Sequence, residues 1–309
     1  MTLRVFIDGV AGTTGLEIED RLRDRPEFEL LRLDEVRRKD VSARGEALNA
    51  ADVAILCLPD EAAREAVGLV TNSRTRIIDA SSAHRVAESW TYGFPELGHD
   101  VANATRVSNP GCYPTGFLAL VAPLVRAKII PADWPLTVNA VSGYSGGGKA
   151  LIERFAEERT LAFRTYALNL EHKHRAEMKL HAGLEHGVIF APSVVPAFRG
   201  MVVEVPLHLG AMPGRVTVDT LRSKLRQFYA GSSVIHVASA EPLSEIVLSQ
   251  DAAASDAMTL HVRGNAGGYH ARLIAVLDNL GKGASGAVVQ TLNLMAGLPQ
   301  TTGLRLSPA

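Results

Sequence analysis

One of the two cysteines stands where a helix is predicted to begin. The stretch Ser108–Gly116 reads S-N-P-G-C-Y-P-T-G, and the apolar run 117–125 follows it. Pro114 fits the first turn of a helix because proline has a fixed φ and no N–H group to satisfy. Cys112 therefore lies at or just before a helix N-terminus, where the helix dipole favours a thiolate. Since a free thiol has a pKa of about 8.5 and is mostly protonated at neutral pH, this position makes Cys112 a candidate nucleophile.

The other cysteine is predicted to be inert. Cys57 lies in the run Val53–Leu58, whose almost continuous apolar character is typical of a strand covered on both faces. A small buried thiol there is a core residue. Two cysteines without C-x-x-C spacing cannot form a disulfide framework or a four-thiolate metal site, so no metal is expected.

Two histidines are candidates for proton transfer. His172 and His174 stand in the segment E-H-K-H-R-A-E, and an imidazole titrates near neutral pH. In an extended backbone the two rings would point to the same side, whereas in a helix they would be about 200° apart. We therefore expect one of them to face Cys112 and favour His172, with His174 as the alternative.

A glycine-rich turn is predicted between the first strand and the first helix. Residues 8–15 read D-G-V-A-G-T-T-G, and glycine there lets a pyrophosphate approach both the backbone and the start of the helix. The spacing G-x-x-G-x-x-G differs from the dinucleotide fingerprint, which has a glycine where Ala11 stands. The alternative is a purely structural turn. The candidate dinucleotide-binding residues are Gly9, Gly12, Thr13, Thr14 and Gly15.

The residues after the second predicted strand bear on the choice of dinucleotide. Asp34 closes that strand, as an acidic residue that binds the ribose of NAD would. Arg32, Arg37, Arg38 and Lys39 surround it, and such a cluster suits the 2′-phosphate of NADP, although it would also suit a solvated loop. The basic cluster favours NADP(H), with Arg37 as the candidate ligand.

Alternation of strands and helices dominates the first part of the chain. Predicted strands lie at Leu3–Ile7, Phe28–Leu33, Val53–Leu58 and Arg76–Asp79, and Asp60 is the expected N-cap of the helix after the third. This order predicts a parallel, doubly wound sheet of the Rossmann-like α/β class.

The pattern changes near residue 110. Alternating stretches at Met201–His208, Met258–Arg263 and His270–Leu277, with a helix over Val218–Tyr229, predict an α+β domain with a mainly antiparallel sheet. The predicted domains are therefore residues 1–111 with 283–309, which bind the dinucleotide, and residues 112–282, which are catalytic. Two domains suit a chain of 309 residues.

The amino-acid composition limits the kinds of partner that the protein can bind. Lys and Arg total 32 against 33 Asp and Glu, which excludes a broad basic surface for nucleic acid or anionic membranes. No stretch reaches the ~18 apolar residues of a membrane span, and the N-terminus lacks the apolar core of a signal peptide. We expect a cytoplasmic protein that acts on a small molecule.

These motifs together resemble those of one enzyme family. The cysteine segment and the glycine turn are similar to those of the short class of N-acetyl-gamma-glutamyl-phosphate reductase, within the superfamily of aspartate-semialdehyde dehydrogenase. The resemblance extends over residues 5–296. Further matching segments are D-A-S-S-A-H-R at 79–85, Y-G-F-P-E-L at 92–97, S-G-Y-S-G-G-G-K at 142–149 and D-N-L-G-K-G-A at 278–284.

The resemblance implies a reaction in arginine biosynthesis. N-acetyl-L-glutamyl 5-phosphate would be reduced by NADPH to the 5-semialdehyde and phosphate, through a thioester on Cys112, by a homotetramer. The alternatives are the same chemistry on aspartyl phosphate, and a dinucleotide-sensing protein without turnover. The implied cofactor residues are Ser81 and Ser82, beside Arg37 and the glycine turn.

The resemblance also implies a substrate site. Arg199 would bind a carboxylate or phosphate through its guanidinium, with a surface ion pair as the alternative. The glycine-rich loop 142–149 would hold the departing phosphate on its N–H groups. The expected substrate-binding residues are Asn109, Ser142, Ser145, Gly146, Lys149, Arg199 and Arg85.

Overall fold

The computed structural model describes residues 2–306, which form two compact units. The first unit comprises residues 2–111 and 284–304, and the second comprises residues 112–283 with 305–306. Residue 1 and residues 307–309, which the predicted first domain includes, lie outside the described residues.

The helices and strands are numbered in chain order. The helices are α1 (Thr13–Leu22), α2 (Val41–Ala50), α3 (Asp60–Leu69), α4 (Cys112–Arg126), α5 (Gly148–Glu157), α6 (His174–Ala182), α7 (Val218–Phe228) and α8 (Gly286–Met295). The strands are β1 (Leu3–Asp8), β2 (Phe28–Leu31), β3 (Val53–Leu56), β4 (Arg76–Asp79), β5 (Thr91–Tyr92), β6 (Arg106–Ser108), β7 (Thr137–Gly143), β8 (Arg164–Thr165), β9 (Ile189–Val195), β10 (Met201–His208), β11 (Ile235–Val237), β12 (Met258–Gly264) and β13 (His270–Leu277).

The first unit is built on a parallel sheet with the strand order β2-β1-β3-β4-β6-β5. The chain moves outward from β1 to β2 and then returns past β1 to β3, so the connections reverse beside β1. Every residue of β3 is buried, as expected for a strand with helices over both faces. This confirms the predicted Rossmann-like, doubly wound class. In such sheets ligands bind beyond the carboxyl ends of the strands, at the point of reversal.

Two strands are shorter than predicted. β2 ends at Leu31 and β3 at Leu56, each two residues before its predicted end. Asp34 explains the first difference, because its Oδ1 accepts the N–H groups of Val36 and Arg37 and draws the chain into a turn. Asp60 is likewise not an N-cap: it is the first residue of α3, and Pro59 precedes it.

The glycine turn after β1 is closely packed against β3. Gly9 has φ of +88°, and a Cβ atom on it would lie 2.3 Å from the carbonyl oxygen of Cys57. A Cβ on Gly15 would lie 2.6 Å from the carbonyl oxygen of Gly9, which also accepts the N–H group of Gly12 at 3.1 Å. Glycine is therefore required where the strand, the turn and α1 approach one another.

The second unit contains a seven-stranded sheet with the order β11-β12-β13-β10-β7-β9-β8. Pairs β11–β12 and β7–β9 are parallel and the other four are antiparallel, which confirms the predicted α+β unit with a mainly antiparallel sheet. Buried and partly exposed residues alternate along β10, so one face of this sheet packs against helices.

The helix that carries Cys112 lies at the centre of the second unit. It contacts β10 and β13 on the sheet and also contacts α6 and α7, so residues 113–124 are all buried. Gly116 permits the close approach to the sheet, because a Cβ atom there would lie 2.8 Å from the Val203 side chain. No helix within residues 2–306 has the length and apolarity needed to cross a membrane.

The Gly9→Ala substitution should destabilise the protein. The new methyl group meets a backbone carbonyl and the residue keeps a positive φ, so the free energy of unfolding should fall by about 2–4 kcal/mol. Gly12→Ala is the matched control: its Cβ would lie 3.5 Å from the nearest atom, and its cost should stay within about 1 kcal/mol. Urea unfolding of both variants measures the difference. Equal losses would show that the close approach at Gly9 does not matter.

Candidate active site

The thiol of Cys112 lies at the first residue of α4 and is partly exposed. The backbone of Gly283 passes directly beside it: a Cβ atom on Gly283 would lie 3.0 Å from the Cβ of Cys112. The N–H group of Gly283 donates to the carbonyl oxygen of Asp278 at 2.9 Å. The segment 278–283 therefore packs against the candidate nucleophile.

Two tyrosine hydroxyl groups lie near this thiol. The hydroxyl of Tyr113 donates to the Ser193 carbonyl oxygen at 3.2 Å, and the hydroxyl of Tyr166 donates to that of Tyr113 at 3.5 Å. Burial raises the pKa of Tyr113 well above its usual value, and the nearby Tyr166 and Cys112 raise it further. Burial, together with the charge of Cys112, also raises the pKa of Tyr166. Both phenols are therefore neutral hydrogen-bonding groups at physiological pH.

Both candidate histidines pack against Tyr113. The ring centroids of His172 and His174 are 4.6 Å apart, and they lie 6.4 and 5.9 Å from that of Tyr113. His174 is the buried first residue of α6, whereas His172 precedes the helix and is half-buried. The structure thus gathers the two imidazoles around the residue next to Cys112.

The two histidines differ in their hydrogen bonding. Nδ1 of His172 accepts the backbone N–H group of His174 at 3.2 Å. A neutral imidazole that accepts at Nδ1 carries its proton on Nε2 and can only donate there. Burial, helped by the charge of Lys173, lowers the pKa of His172 to about 4. His172 is therefore a neutral hydrogen-bond donor and a weak base.

Most of the expected substrate-binding residues of the second unit meet at the end of β13. Nη1 of Arg199 donates to the buried carboxylate of Asp278 at 2.9 Å. The Asn279 side chain accepts the N–H group of Gly200 at 2.9 Å and donates to Oγ of Ser145 at 2.9 Å. Ser142 and Gly146 complete the group, since a Cβ on Gly146 would lie 3.3 Å from Nδ2 of Asn279 and 3.7 Å from Oγ of Ser142.

Lys149 does not join this group. Its side chain is 82% exposed and forms an ion pair with Glu153 at 3.7 Å. The expected loop 142–149 is also interrupted by regular structure. Ser142 lies within β7, a short 3-10 turn covers Tyr144–Gly147, and α5 begins before Lys149.

The glycine turn of the first unit forms one wall of a cleft of about 450 Å³. Residues 8–11 line it, together with side chains that follow β2 and one from α2. No side chain caps the N-terminus of α1, which begins after Gly12. The N–H groups of Thr13, Thr14 and Gly15 belong to its first turn, where a helix favours an anion. These features fit a dinucleotide pyrophosphate.

Only some of the charged residues after β2 line this cleft. Arg38 and Lys39 line it, whereas Arg37 forms an ion pair with Glu46 at 3.0 Å and is not among the lining residues. The carboxylate of Asp34 accepts backbone N–H groups of its own turn.

The two serines after β4 are held by carboxylates. The hydroxyl of Ser81 donates to Asp79 at 2.8 Å. The N–H and hydroxyl groups of Ser82 donate to Asp60 at 2.9 and 2.7 Å. These bonds fix the loop that follows β4. The loop lies beyond the carboxyl ends of the strands, which is where parallel sheets bind ligands.

Arg85 and Asn109 are linked within the first unit. Nε of Arg85 donates to the Asn109 carbonyl oxygen at 2.9 Å, and Nη2 donates to the Ala80 carbonyl oxygen at 3.0 Å. The N–H group of Asn109 donates to the carbonyl oxygen of Asp79 at 2.7 Å. Arg85 therefore ties the end of β4 to the chain that follows β6.

Sequence reasoning missed three residues of these groups. Asp278 and Asn279 directly follow the predicted strand His270–Leu277, and two adjacent polar residues at that strand end were the available signal. Tyr166 had no such signal. It lies in an irregular segment, and two residues that follow it, Ala167 and Leu170, have positive φ. The approach of Tyr166 to Tyr113 therefore depends on tertiary structure.

Family models match both units. The model described as semialdehyde dehydrogenase, NAD binding domain, matches residues 4–105. The model described as semialdehyde dehydrogenase, dimerisation domain, matches residues 112–279. The first unit is thus a nicotinamide-dinucleotide-binding domain.

Curated relatives match over nearly the full chain. N-acetyl-gamma-glutamyl-phosphate reductase from Rhizobium meliloti (strain 1021) is 47% identical over 96% of this chain and 99% of its own length. The protein of the same name from Burkholderia orbicola (strain MC0-3) is 48% identical over 95% and 97%. N-acetyl-gamma-glutamyl-phosphate reductase 2 from Nostoc sp. (strain PCC 7120 / SAG 25.82 / UTEX 2576) is 46% identical over 97% and 99%.

Solved structures share the fold at much lower identity. A probable aspartate-semialdehyde dehydrogenase from Pseudomonas aeruginosa matches with a TM-score of 0.70 at 17% identity, over 96% of this chain and 98% of that one. Aspartate semialdehyde dehydrogenase II from Vibrio cholerae, complexed with ASA, matches with a TM-score of 0.67 at 18% identity, over 96% and 99%. The family models and the curated relatives show that the chain belongs to the semialdehyde dehydrogenase family and, within it, to the N-acetyl-gamma-glutamyl-phosphate reductases.

Proposed function

We propose that this protein uses NADPH to reduce N-acetyl-L-glutamyl 5-phosphate to N-acetyl-L-glutamate 5-semialdehyde and phosphate, a step of arginine biosynthesis. The observation that carries the proposal is the position of Cys112, at the first residue of a buried helix and next to the tyrosine on which two imidazoles pack. The names of relatives at 46–48% identity support the choice of substrate.

The proposal extends to the domains and the assembly. The first unit, residues 2–111 with 284–304, forms the NADP-binding domain, and the second unit, residues 112–283 with 305–306, forms the catalytic and oligomerisation domain. The predicted boundary at 282/283 thus moves by one residue, and residues 305–306 belong to the second unit rather than to the first. The enzyme acts in the cytoplasm as a homo-oligomer, a tetramer by resemblance to its family. The match of residues 112–279 to a dimerisation domain supports association through the second unit.

His174 is the better candidate for the proton acceptor. The Nδ1 atom of His172 is engaged by a backbone N–H group, and the low pKa of that ring makes it a poor base. A general base works best when its pKa is close to the working pH. We therefore assign proton transfer to His174. To His172 we assign the donation of a hydrogen bond from its own Nε2 atom. This reverses the order that the sequence favoured.

The first step is attack by Cys112 on the acyl phosphate. The thiol proton passes to the His174 imidazole, and Sγ bonds to the carbonyl carbon. The carbon–oxygen bond to phosphate breaks, and phosphate leaves with the bonding electrons and takes up a solvent proton. The product is a thioester on Cys112, and covalent catalysis of this kind divides one difficult step into two easier ones.

The second step releases the aldehyde. When bound, the reduced nicotinamide dinucleotide supplies the hydride that reduces the thioester carbonyl. The His174 imidazolium gives its proton to the resulting alkoxide and takes it back as the carbon–sulfur bond breaks. The thiolate of Cys112 then recovers this proton from His174, and the enzyme is ready for another cycle.

Arg199 and the serines around it form the substrate site in this account. A guanidinium binds a carboxylate with good geometry, and the substrate carries one on its α-carbon. Asp278 holds Arg199 in place, while Asn279 holds Ser145. Ser142 and Gly146 lie beside them and offer polar contacts to the phosphate. Exposed Lys149 contributes only long-range positive charge.

Replacing Cys112 distinguishes its role in the reaction from any role in binding NADPH. Cys112→Ser should lower turnover by about a thousandfold or more, because a serine hydroxyl is hardly ionised at neutral pH. NADPH binding, measured by fluorescence, should be unchanged. Cys57→Ala is the control. Cys57 directly follows β3 and, although partly exposed and not the fully buried strand residue that the sequence predicts, packs against the core of the first unit. The variant should keep its turnover, since desolvation with Asp79 and Asp8 nearby raises the pKa of that thiol to about 12. Near-normal turnover of Cys112→Ser would exclude the thioester route.

The protonation of His172 can be followed directly. Burial keeps this ring neutral, so it should take up a proton only as the pH falls to about 4. Nitrogen-15 NMR of histidine-labelled protein should show the Nε2–H tautomer from pH 5 to 8, with His172→Gln identifying the signal. Because the unfolded chain protonates at about pH 6.5, this ring lowers the folding stability progressively below that pH. Titration of the His172 signal near pH 6.5 would contradict the assignment.

Substrate choice is tested in the reverse direction. With NADP and phosphate, N-acetylglutamate semialdehyde should be oxidised with a kcat/KM at least about a hundredfold above that of aspartate semialdehyde, because a site built for an acetylated amine leaves a buried ammonium unpaired. Initial rates of NADPH formation with both compounds measure the ratio. A preference for the aspartate compound would assign the protein to the other reaction.

A further inference from the structure

We propose that Lys39 and Arg38, and not Arg37, bind the 2′-phosphate of NADP and select it over NAD. The proposal rests on the proposed function only in taking a nicotinamide dinucleotide as the ligand of the first unit. It follows from how the charges of the cleft beside the glycine turn are paired with one another.

The cleft contains more positive than negative charge. Four cations and two carboxylates line it, namely Arg32, Arg38, Lys39, Arg44, Asp8 and Glu19. Its apolar lining includes Leu30 and Leu31 of β2 and Leu33 just beyond that strand. An apolar wall beside a surplus of positive charge suits an adenosine that carries an additional phosphate.

Two of the four cations are paired with the two carboxylates. Nε of Arg32 donates to Glu19 at 2.7 Å. Nε and Nη2 of Arg44 donate to Oδ2 of Asp8 at 3.1 and 3.0 Å, and both of these residues are buried. Since Asp8 precedes the glycine turn directly, Arg44 removes a negative charge that would repel a dinucleotide phosphate.

The other two cations keep their charge for a ligand. Lys39 has no ion pair and no side-chain hydrogen bond with any other residue in the range 2–306. Arg38 contacts Glu35 at 3.4 Å, but that carboxylate is 88% exposed, and exposed pairs of this kind are weak. The uncompensated charge matches a phosphomonoester, which carries about −1.5 to −2 at pH 7.

The backbone explains why three consecutive cations have different roles. Arg37–Lys39 form a single 3-10 turn, in which successive side chains point about 120° apart. Asp34 fixes the start of this turn, and Asp40 accepts the Ala43 N–H group at 2.7 Å at the start of α2. Arg37 contacts Glu46 on α2 and does not line the cleft, whereas its two neighbours do.

The same turn engages one oxygen of Asp34, the acidic residue that could favour NAD. An acidic residue after the second strand of such a sheet usually accepts the ribose 2′-hydroxyl. Here Oδ1 of Asp34 accepts two backbone N–H groups at 3.0 and 2.8 Å. This oxygen is thereby committed to the turn that presents Lys39, and Asp34 is not among the residues that line the cleft.

The test measures binding of adenosine 2′,5′-bisphosphate and of 5′-AMP by calorimetry, which needs no turnover. Lys39→Ala and Arg38→Ala should each weaken binding of the bisphosphate by about tenfold or more and leave 5′-AMP unchanged, because a charge-assisted bond to phosphate is lost. Arg37→Ala is the matched control from the same turn, and neither affinity should change. Unchanged 5′-AMP binding also shows that each variant is folded.

Two results would overturn the assignment. In one, Arg37→Ala weakens bisphosphate binding as much as Lys39→Ala does. In the other, the unsubstituted protein binds both nucleotides equally. Either result leaves the thioester chemistry untouched, since that chemistry is judged by turnover of Cys112→Ser. Conversely, a protein without turnover that keeps the predicted nucleotide pattern would refute the proposed function alone.

Discussion

The position of one sulfur atom depends on the packing of one helix. Cys112 begins α4, and the twelve residues that follow are buried between the sheet and two other helices. A helix enclosed in this way cannot shift or rotate without opening the core of the second unit. The thiol at its first residue is therefore held in place by hydrophobic packing, whereas its exposure and its polar neighbours remain suited to chemistry.

A second constraint organises the polar groups. The residues directly after β13 bind Arg199, Gly200 and Ser145 through side chains. A few residues later, Gly283 packs against Cys112. A buried carboxylate is stable only when it is paired. Asp278 is paired with Arg199 and also accepts the backbone N–H groups of Ser255 and Leu280 at 3.2 and 2.9 Å. The same short segment thus connects the proposed substrate site to the nucleophile.

Much of this structure could be predicted from local sequence. The period of apolar residues identified the strands His270–Leu277 and Met201–His208 with their observed limits, because alternation reports directly on a half-buried sheet. Pro114 and the apolar run after it located the helix that Cys112 begins. The glycines of the first turn were recognisable because only glycine allows so close an approach of strand and helix.

The roles of individual polar side chains could not be predicted in the same way. Arg37, Arg38 and Lys39 look equivalent in the sequence, and only the turn and the position of Glu46 distinguish them. The preference for His172 over His174 changed because a single backbone hydrogen bond sets the tautomer of His172. Tyr166, which contacts Tyr113, belongs to an irregular segment whose sequence has no periodic pattern. In each case a contact between residues distant in sequence, or a local turn, decides what a side chain can do.

Catalysis through a thioester on Cys112 can be tested by withholding one reactant. N-acetylglutamate semialdehyde and NADP, mixed with the enzyme in the absence of phosphate, should give a burst of NADPH equal to the number of active sites. Mass spectrometry of the digested protein should then locate an N-acetylglutamyl group on the peptide that contains Cys112. A burst without such an adduct, or an adduct on another residue, would show that no catalytic thioester forms on Cys112.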